Sequence, residues 1–489
     1  MHSKSVYYHF VGVANPDLPN AHTRKGAGVL DTAANNEAIG GGGGNLHHKF
    51  LRKLFTNFSS FGLLAFFLTV IFSGALVLKF SGAWPEDLTF TDAVFTAASA
   101  VCVAGLSTID ISQFSRAGEL TLLCLIQIGG LGIISFSCLT LIIPGRRFGL
   151  TGTDAIKNFF LDDIEYRPRL IIRSIIIFTF IIELTGAVLL SFLFYRRSLD
   201  DWLFMAVFHS VSAFCNTGLS VLPSQLLIFS DDIPVMLVLC VLVILGGLGF
   251  LVLHDILRLA GGRIRKLSYH SKVVLFMTAL FLLSGTVLFF IFERGRAFSG
   301  MNTLYAAVNS FFQSVNTRSA GFEVTVQSSF CQPSKMLTCL LMIIGGAPGS
   351  IAGGIKVTTL FVVLVFLLKK PDKYGDMNVF HHRLRSATIH NALVFVLKAL
   401  FLLLICICAL SVAEGLRGKP LGALIFDSIS AFGTVGLGLG ITPSLSTAGK
   451  WIIIATMFAG RVGLFALSFP AINSKRRDIT YPEGSLLLE

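Results

Sequence analysis

A short pattern recurs four times in this chain, each time between two long apolar segments. An apolar run ends in a Gly-centred turn, and a second apolar run with a Gly-rich break follows. The turns are SAVCVAGLS (99–107), SAFCNTGLS (212–220), SVNTRSAGF (314–322) and SAFGTVGLG (430–438). The breaks are QIGGLGI (127–133), ILGGLGF (244–250), IIGGAPG (343–349) and FAGRVGL (458–464). From Gly105, Gly218, Gly321 and Gly436 to Gly129, Gly246, Gly345 and Gly460 the steps are 24, 28, 24 and 24 residues. A repeat on this scale sets the architecture in which every other residue must be read.

The solvent for that architecture is a bilayer. Hydrophobic residues make up 54% of the chain and charged residues 13%, with a mean hydropathy of +0.76, outside the range of soluble domains. Apolar runs of about the 20 residues that cross the hydrocarbon lie near 58–80, 118–143, 170–195, 233–257, 273–292, 335–368, 391–412 and 450–472, two per copy. An all-α membrane protein is expected, with copies over 58–143, 170–257, 271–369 and 390–472.

Charge orients the spans. The linkers between copies carry Arg146, Arg147, Lys157, Arg167 and Arg169, then Arg258, Arg263, Arg265, Lys266 and Lys272, then Lys369, Lys370, Lys373, Arg383 and Arg385. With Lys475, Arg476 and Arg477 near the end, the positive-inside rule places these linkers and both termini in the cytoplasm. The turns then face outward with most of the acids, Asp92, Glu323 and Asp427 among them, which raises the local cation concentration. The net charge of +12 is thus topology and not a nucleic-acid footprint. Residues 1–57, polar and containing five consecutive glycines, read as a flexible cytoplasmic tail, and 473–489 as a second tail. Nine scattered cysteines show no zinc spacing and suit small packing residues.

Before each turn lies an apolar stretch of about a dozen residues, such as 91–101 or 203–214, too short to span and long enough for a half-helix. A re-entrant half-helix with an irregular return is tolerated at membrane depth only where it is buried in protein or lines a wet cavity. The central glycine admits positive φ and lets successive carbonyls face one axis. Four such turns make a ring of backbone oxygens that replaces the hydration shell of an alkali cation. The expectation is four M1–pore-loop–M2 repeats arranged pseudo-fourfold around one central pore. The ion-facing residues are Gly105, Gly218, Gly321 and Gly436 with Val103, Ala104, Asn216, Thr217, Ser319, Ala320, Thr434 and Val435.

The sixth apolar run is interrupted. Five glycines and Pro348 between Gly345 and Gly354 cannot continue a helix. The second span (M2) of the third copy is therefore expected to be broken by an intramembrane loop on the cytoplasmic side of its turn, placed to obstruct the pore. The expected gate residues are Gly345, Gly346, Ala347, Pro348, Gly349, Ser350, Gly353 and Gly354, with Lys356 and Arg461. Arg461 lies inside the last span, where an arginine must face the pore or a partner. Its two roles are a positive charge under the turns or a partner to the loop. Lys356 is expected to snorkel toward the cytoplasm. Glu183, inside the third span, is expected to hold a half-helix through its backbone. Arg318 is expected to brace its turn through carbonyls, Asn216 and Asn316 to do structural duty, and His209 and His254 to be packing or interfacial residues without metal partners.

GGAPGSIAGGIKVTT (345–359), TRSAGF, GTVGLG and GRVG (460–463) together resemble the Trk/Ktr/HKT superfamily of potassium transport proteins over residues 58–472. The chain resembles the KtrB type more than TrkH, because it lacks two extra spans ahead of the first copy. The resemblance implies that the four glycines are selectivity-filter residues in a potassium uptake protein of a bacterial cytoplasmic (inner) membrane. It implies K+ as the transported ion, Na+ as a candidate activator, no organic cofactor, and a homodimer with one pore per subunit. It further implies a cytosolic KtrA- or TrkA-like nucleotide-binding regulatory ring; membrane lipid completes the expected partners, with no nucleic acid. One departure stands out: where the family has TVTGL, this chain reads CVAGL (102–106), which keeps carbonyl coordination but supplies no threonine hydroxyl. A secondary symporter coupling sodium or protons to potassium is the alternative, disfavoured by four turns in place of one midplane site. No Ser/His, paired-Asp or HExxH constellation lies on facing spans, so an enzyme is not expected.

Overall fold

A computed structural model describes residues 60–80, 82, 88–142, 168–223, 225–373, 375–380, 382–415 and 417–463. The two tails, the linker residues Arg146, Arg147, Lys157 and Arg167, and positions 464–472 of the last expected span lie outside the described residues. In the first copy a long helix α1 (Ser60–Phe80) leads to a short helix α2 (Phe90–Cys102), and α3 (Arg116–Ile142) follows. The second copy has α4 (Pro168–Arg196), α5 (Trp202–Phe214), α6 (Ile233–Leu248) and α7 (Phe250–Ala260). In the third are α8 (Tyr269–Glu293), α9 (Thr303–Asn316), α10 (Gln332–Ile343) and α11 (Val357–Leu368). An antiparallel hairpin of β1 (Met377–Val379) and β2 (His382–Leu384) joins it to the fourth copy. That copy holds α12 (Ser386–Gly415), α13 (Leu421–Gly433) and α14 (Thr447–Phe458), the last running into a π-turn at Ala459–Gly463.

The short helices α2, α5, α9 and α13 are half-length, each ending where the backbone turns out of helical geometry. Thr89 caps α2 by accepting the amide of Asp92, and the left-handed Val103 ends it. Each short helix is buried over most of its length, and each packs on the first long helix of its own copy. Each also packs on the second span of the preceding copy: α5 on α3, α9 on α6, α13 on α10, and α2 on α14, which closes the cycle. The long helices α4, α8 and α12 carry exposed apolar faces, including Leu184, Leu283 and Phe401. In a chain this apolar such faces meet lipid and not water. The chain is a multi-pass membrane protein.

Two of the expected spans are not single helices. The run expected over 233–257 bends by 105° between α6 and α7. Gly249 makes the corner with φ 81° and ψ 151°, a conformation open to glycine alone. Between α10 and α11 residues 344–356 carry no helix, and Ile344 bridges Ile355 where the chain leaves and rejoins. Among the described residues, three helices are long and apolar enough to cross a membrane, or four if the bent pair is one span.

Candidate ion-conduction site

Each short helix ends in a backbone distortion of one kind. Val103 and Gly105, Asn216 and Gly218, Ser319 and Gly321, and Thr434 and Gly436 all have positive φ, two residues apart. Three of the ends are Schellman-type caps. The amides of Ala104, Thr217 and Val435 reach back to the carbonyls of Ser99, Ser212 and Ser430 at 2.8, 2.8 and 2.9 Å. The third end is tighter, with Ala320 N bonded to Asn316 O at 3.1 Å. Left-handed valine and threonine are unfavourable by about 1–3 kcal/mol each and persist only where the surroundings enforce them. Such outliers mark functional sites more often than structural ones.

The four turns meet one another. A Cβ on Gly105 would collide with the Thr217 carbonyl oxygen, one on Gly218 with Ala320 O, and one on Gly321 with Val435 O. A Cβ on Gly436 would lie 2.9 Å from Ala104 O and 2.9 Å from the Gly105 Cα. Each glycine thus abuts the carbonyl that precedes the next copy's glycine, in the order first, second, third, fourth, first. All twelve residues expected to face an ion fall in this cluster, and all but the half-buried Gly436 are buried. The hydroxyls of Thr217 and Thr434 are buried without a hydrogen-bond partner.

The Gly-rich breaks explain their own spacing. A Cβ on Gly129, Gly246 or Gly460 would collide with the carbonyl oxygen of Val101, Phe214 or Phe432, in each case the residue four before the turn glycine. The second spans of these copies approach the ends of the short helices backbone to backbone, which only glycine permits. In the third copy a Cβ on Gly345 would instead meet Gly353 O, within the non-helical segment.

That segment lies directly beneath the turns and touches the other three copies. Ala347 N donates to Gly247 O (3.0 Å), Ile351 N to Gly246 O (3.4 Å), and Phe250 N to Gly349 O (3.3 Å), so the loop lies against the corner of the second copy. A Cβ on Gly130 would lie 2.7 Å from Cys215 Sγ and 3.7 Å from Ile351 Cγ2, which places the loop beside the first copy too. A Cβ on Gly353 would strike the Thr434 hydroxyl and lie 3.1 Å from Gly433 O in the fourth. Ser350 is buried and bonds Ala347 O at 2.6 Å. Pro348 offers its carbonyl to the Gly249 corner, where a Cβ would come within 2.9 Å.

Three cationic side chains hold the loop by its carbonyls. Arg461, 4% exposed, donates to Ile351 O and to Gly129 O (3.3 Å), joining the loop to the first and fourth copies. Arg318 donates to Gly345 O (3.2 Å) and Thr278 O (3.5 Å), so it braces the loop and α8 and not its own turn. Lys356 does not snorkel; its Nζ turns back to Ala352 O at 2.6 Å, because that carbonyl would otherwise be an unpaired acceptor. A cavity of about 20 Å³ lies behind Gly346, bordered by Arg318, Thr278 and Gly247.

Other expectations are amended. Glu183 does not bond half-helix backbone through its carboxylate; that group accepts from Gln127 Nε2 (2.9 Å) and the Cys215 thiol (3.7 Å). Its own backbone carbonyl takes the Ser210 hydroxyl at 2.6 Å. His209 is more than packing, since its ring bonds Met205 O (2.7 Å) and Ser220 Oγ (2.9 Å) and so ties α5 to the strand leaving the turn. The other copies tie the same places: Thr108 to Asp92 (2.7 Å), Gln313 to Gln327 (2.9 Å) and Thr442 to Asp427 (2.7 Å). Lys450 adds an ion pair to Asp92 at 2.6 Å, joining the fourth copy to the first. A carboxylate, imidazole or glutamine side chain inside each half-helix was the signal for these ties. Asn316 donates to Phe322 O at 2.7 Å, and Asn216 is left-handed.

The sequence matches the TrkH family, described as cation transport proteins, over residues 35–476. The chain belongs to this family. Proteins of this kind are transporters and not enzymes. Among its relatives is the potassium/sodium uptake protein NtpJ of Enterococcus hirae, 36% identical over 86% of this chain and 95% of that protein. The Ktr system potassium uptake protein B of Bacillus subtilis is 34% identical over 86% of this chain and 95% of its own. In fold, this TrkH-family chain is similar to the crystal structure of the potassium transporter TrkH from Vibrio parahaemolyticus, with a TM-score of 0.68 and 19% identity over 84% of each chain.

Proposed function

We infer that this chain mediates potassium uptake through one central pore, whose selectivity filter is built from the backbone of all four turns. The observation that carries this reading is the cyclic contact of Gly105, Gly218, Gly321 and Gly436 with the carbonyls of Thr217, Ala320, Val435 and Ala104. A pseudo-fourfold arrangement of four repeats over 58–143, 170–257, 271–369 and 390–472 would account for that order, and the contacts support it. Carbonyl dipoles on a narrow axis substitute for the water lost by an alkali cation. That relatives are named for potassium, and one for sodium as well, supports K+ as cargo and Na+ as a candidate second ion or activator.

The segment from Gly345 to Gly354, with Lys356 and Arg461, is the gate. Its position against the turns and the other three copies supports an obstructing role. The excess of Lys and Arg in the linkers supports both termini on the cytoplasmic side of a bacterial inner membrane. A homodimer with a pore in each subunit and a cytosolic nucleotide-binding ring as regulator complete the reading.

The test is flux into liposomes containing the purified protein, with potassium, rubidium, sodium and lithium offered in turn. Potassium and rubidium should pass in preference to sodium and lithium, down their gradients. Accumulation against a gradient would instead establish a coupled symporter. Replacing residues 347–352 by a short flexible linker should raise the flux, and an unchanged or lower flux in monodisperse protein would count against the gate.

A further inference from the structure

The corner at Gly249 turns the second copy's inner span by 105°, so α7 does not continue the path of α6. One face of α7 is buried: Val252 and Leu253 pack with Ala347 of the loop and with Val357 and Phe361 of α11. The other face is apolar and open, with Leu257 50% and Leu259 38% exposed. A basic turn follows immediately, in which Arg263, Arg265 and Lys266 are exposed, with Lys272 on α8 beside it.

This turn is fixed in place. Arg263 N and Ile264 N both bond Arg258 O, at 2.9 and 3.3 Å. Asp255, buried on α7, accepts from Ser268 N (3.3 Å) and Ser271 Oγ (2.6 Å), which ties the far end of the turn to the start of α8. The one acid on α7 is therefore spent inside the protein, and the cations are presented on a pre-organised loop beside exposed leucines. A surface helix with open apolar residues next to fixed cations matches the boundary between acyl chains and anionic headgroups.

We propose that α7 and the turn 261–268 form a docking surface for anionic phospholipid headgroups of the cytoplasmic leaflet, and that their binding holds the loop across the pore. The link is direct: Phe250, the first residue of α7, donates its amide to Gly349 O, and the residues before the corner take the amides of Ala347 and Ile351. Lipid that pins α7 stabilises the arrangement in which these bonds are made. The regulatory half of this proposal rests on the gate assignment above; the docking surface does not.

The experiment compares rubidium flux of the full-length protein in vesicles of phosphatidylcholine alone and of phosphatidylcholine with phosphatidylglycerol. Anionic vesicles should lower the flux by about fivefold, the scale of a modest shift in a two-state loop. The triple variant R263Q/R265Q/K266Q should conduct equally in both, and should co-purify with less phosphatidylglycerol. K369Q/K370Q, which leaves the surface intact, should keep the lipid response. A triple variant that retains the lipid effect, or that co-purifies with as much phosphatidylglycerol as the unaltered protein, would overturn the docking surface; absence of a lipid effect on flux while phosphatidylglycerol still co-purifies would overturn the gate link. A lipid effect that is lost in the triple variant but persists when residues 347–352 are replaced would overturn the gate link and leave the docking surface standing. Size-exclusion elution of each variant shows that it is folded.

Discussion

Replacing Arg461 by glutamine should open the pathway. The guanidinium is buried, and it alone ties the loop at Ile351 to the first copy at Gly129. Hydrogen bonds to a charged donor contribute about 1.5–3 kcal/mol each. When the loop moves aside, water entering the opened pathway rehydrates the charge, so the net hold on the closed arrangement is nearer 1–2 kcal/mol in total. Because about 1.4 kcal/mol is tenfold in an equilibrium, Arg461→Gln should raise rubidium flux in liposomes by roughly five- to thirtyfold. Removing a positive charge beneath the turns acts in the same direction. Arg461→Lys separates the two effects: lysine keeps the charge but cannot make both bonds. An intermediate rise in the lysine variant would show that the geometry of the two bonds matters, whereas wild-type flux would assign the whole effect to charge. The reasoning is refuted if monodisperse Arg461→Gln protein shows unchanged or lower flux with its ion preference intact.

Arg318→Gln should raise flux by a smaller factor, about threefold, since the Gly345 bond is one of several at that end. Combined with Arg461→Gln, its effect should be less than multiplicative, because both side chains hold one loop; flux measurements on the double variant check this. Lys450→Met removes the partner of a largely buried Asp92 and should destabilise the outer contact between the fourth and first copies by about 1–3 kcal/mol. Its thermal unfolding in detergent should fall, and Asp92→Asn in the same protein should recover part of the loss. In the hairpin, the Ser386 amide and the Arg383 guanidinium hold the Asp376 carboxyl below the usual carboxylate range. A lowered folded value stabilises the hairpin above the ordinary carboxylate pKa, and the contribution is lost as pH falls through the folded value. Amide protection factors at 376–386, taken relative to intrinsic exchange at each pH, should therefore fall on acidification, and Asp376→Asn should show low protection at every pH.

Much of the helical plan was legible because apolar length and backbone chemistry are local signals. The expected span 170–195 is Pro168–Arg196, and the expected half-helix 203–214 is Trp202–Phe214. The turn glycines were legible because a carbonyl from the next copy fills the space of a side chain, and only glycine answers that. The corner at Gly249 was not legible. ILGGLGF reads as an ordinary apolar stretch, and the group that satisfies the broken helix there, Gly349 O, is a hundred residues further on. The same holds for Arg318, whose partner at Gly345 is set by how the third copy folds back on itself. His209 looked solitary because its partner, Ser220, lies across the turn and not at helical spacing. Local pattern announces where backbone geometry is unusual; the partners that pay for it come from the tertiary fold.

The central claim is that one chain supplies four backbone walls to one filter. It is tested most directly by the potassium-to-sodium flux ratio of four single variants, Gly105→Ser, Gly218→Ser, Gly321→Ser and Gly436→Ser, each folded by size exclusion and assayed in the same liposomes. Because every glycine abuts a carbonyl of the next copy, all four substitutions should lower the ratio. A folded variant at any of the four positions that keeps the unaltered ratio would contradict the claim.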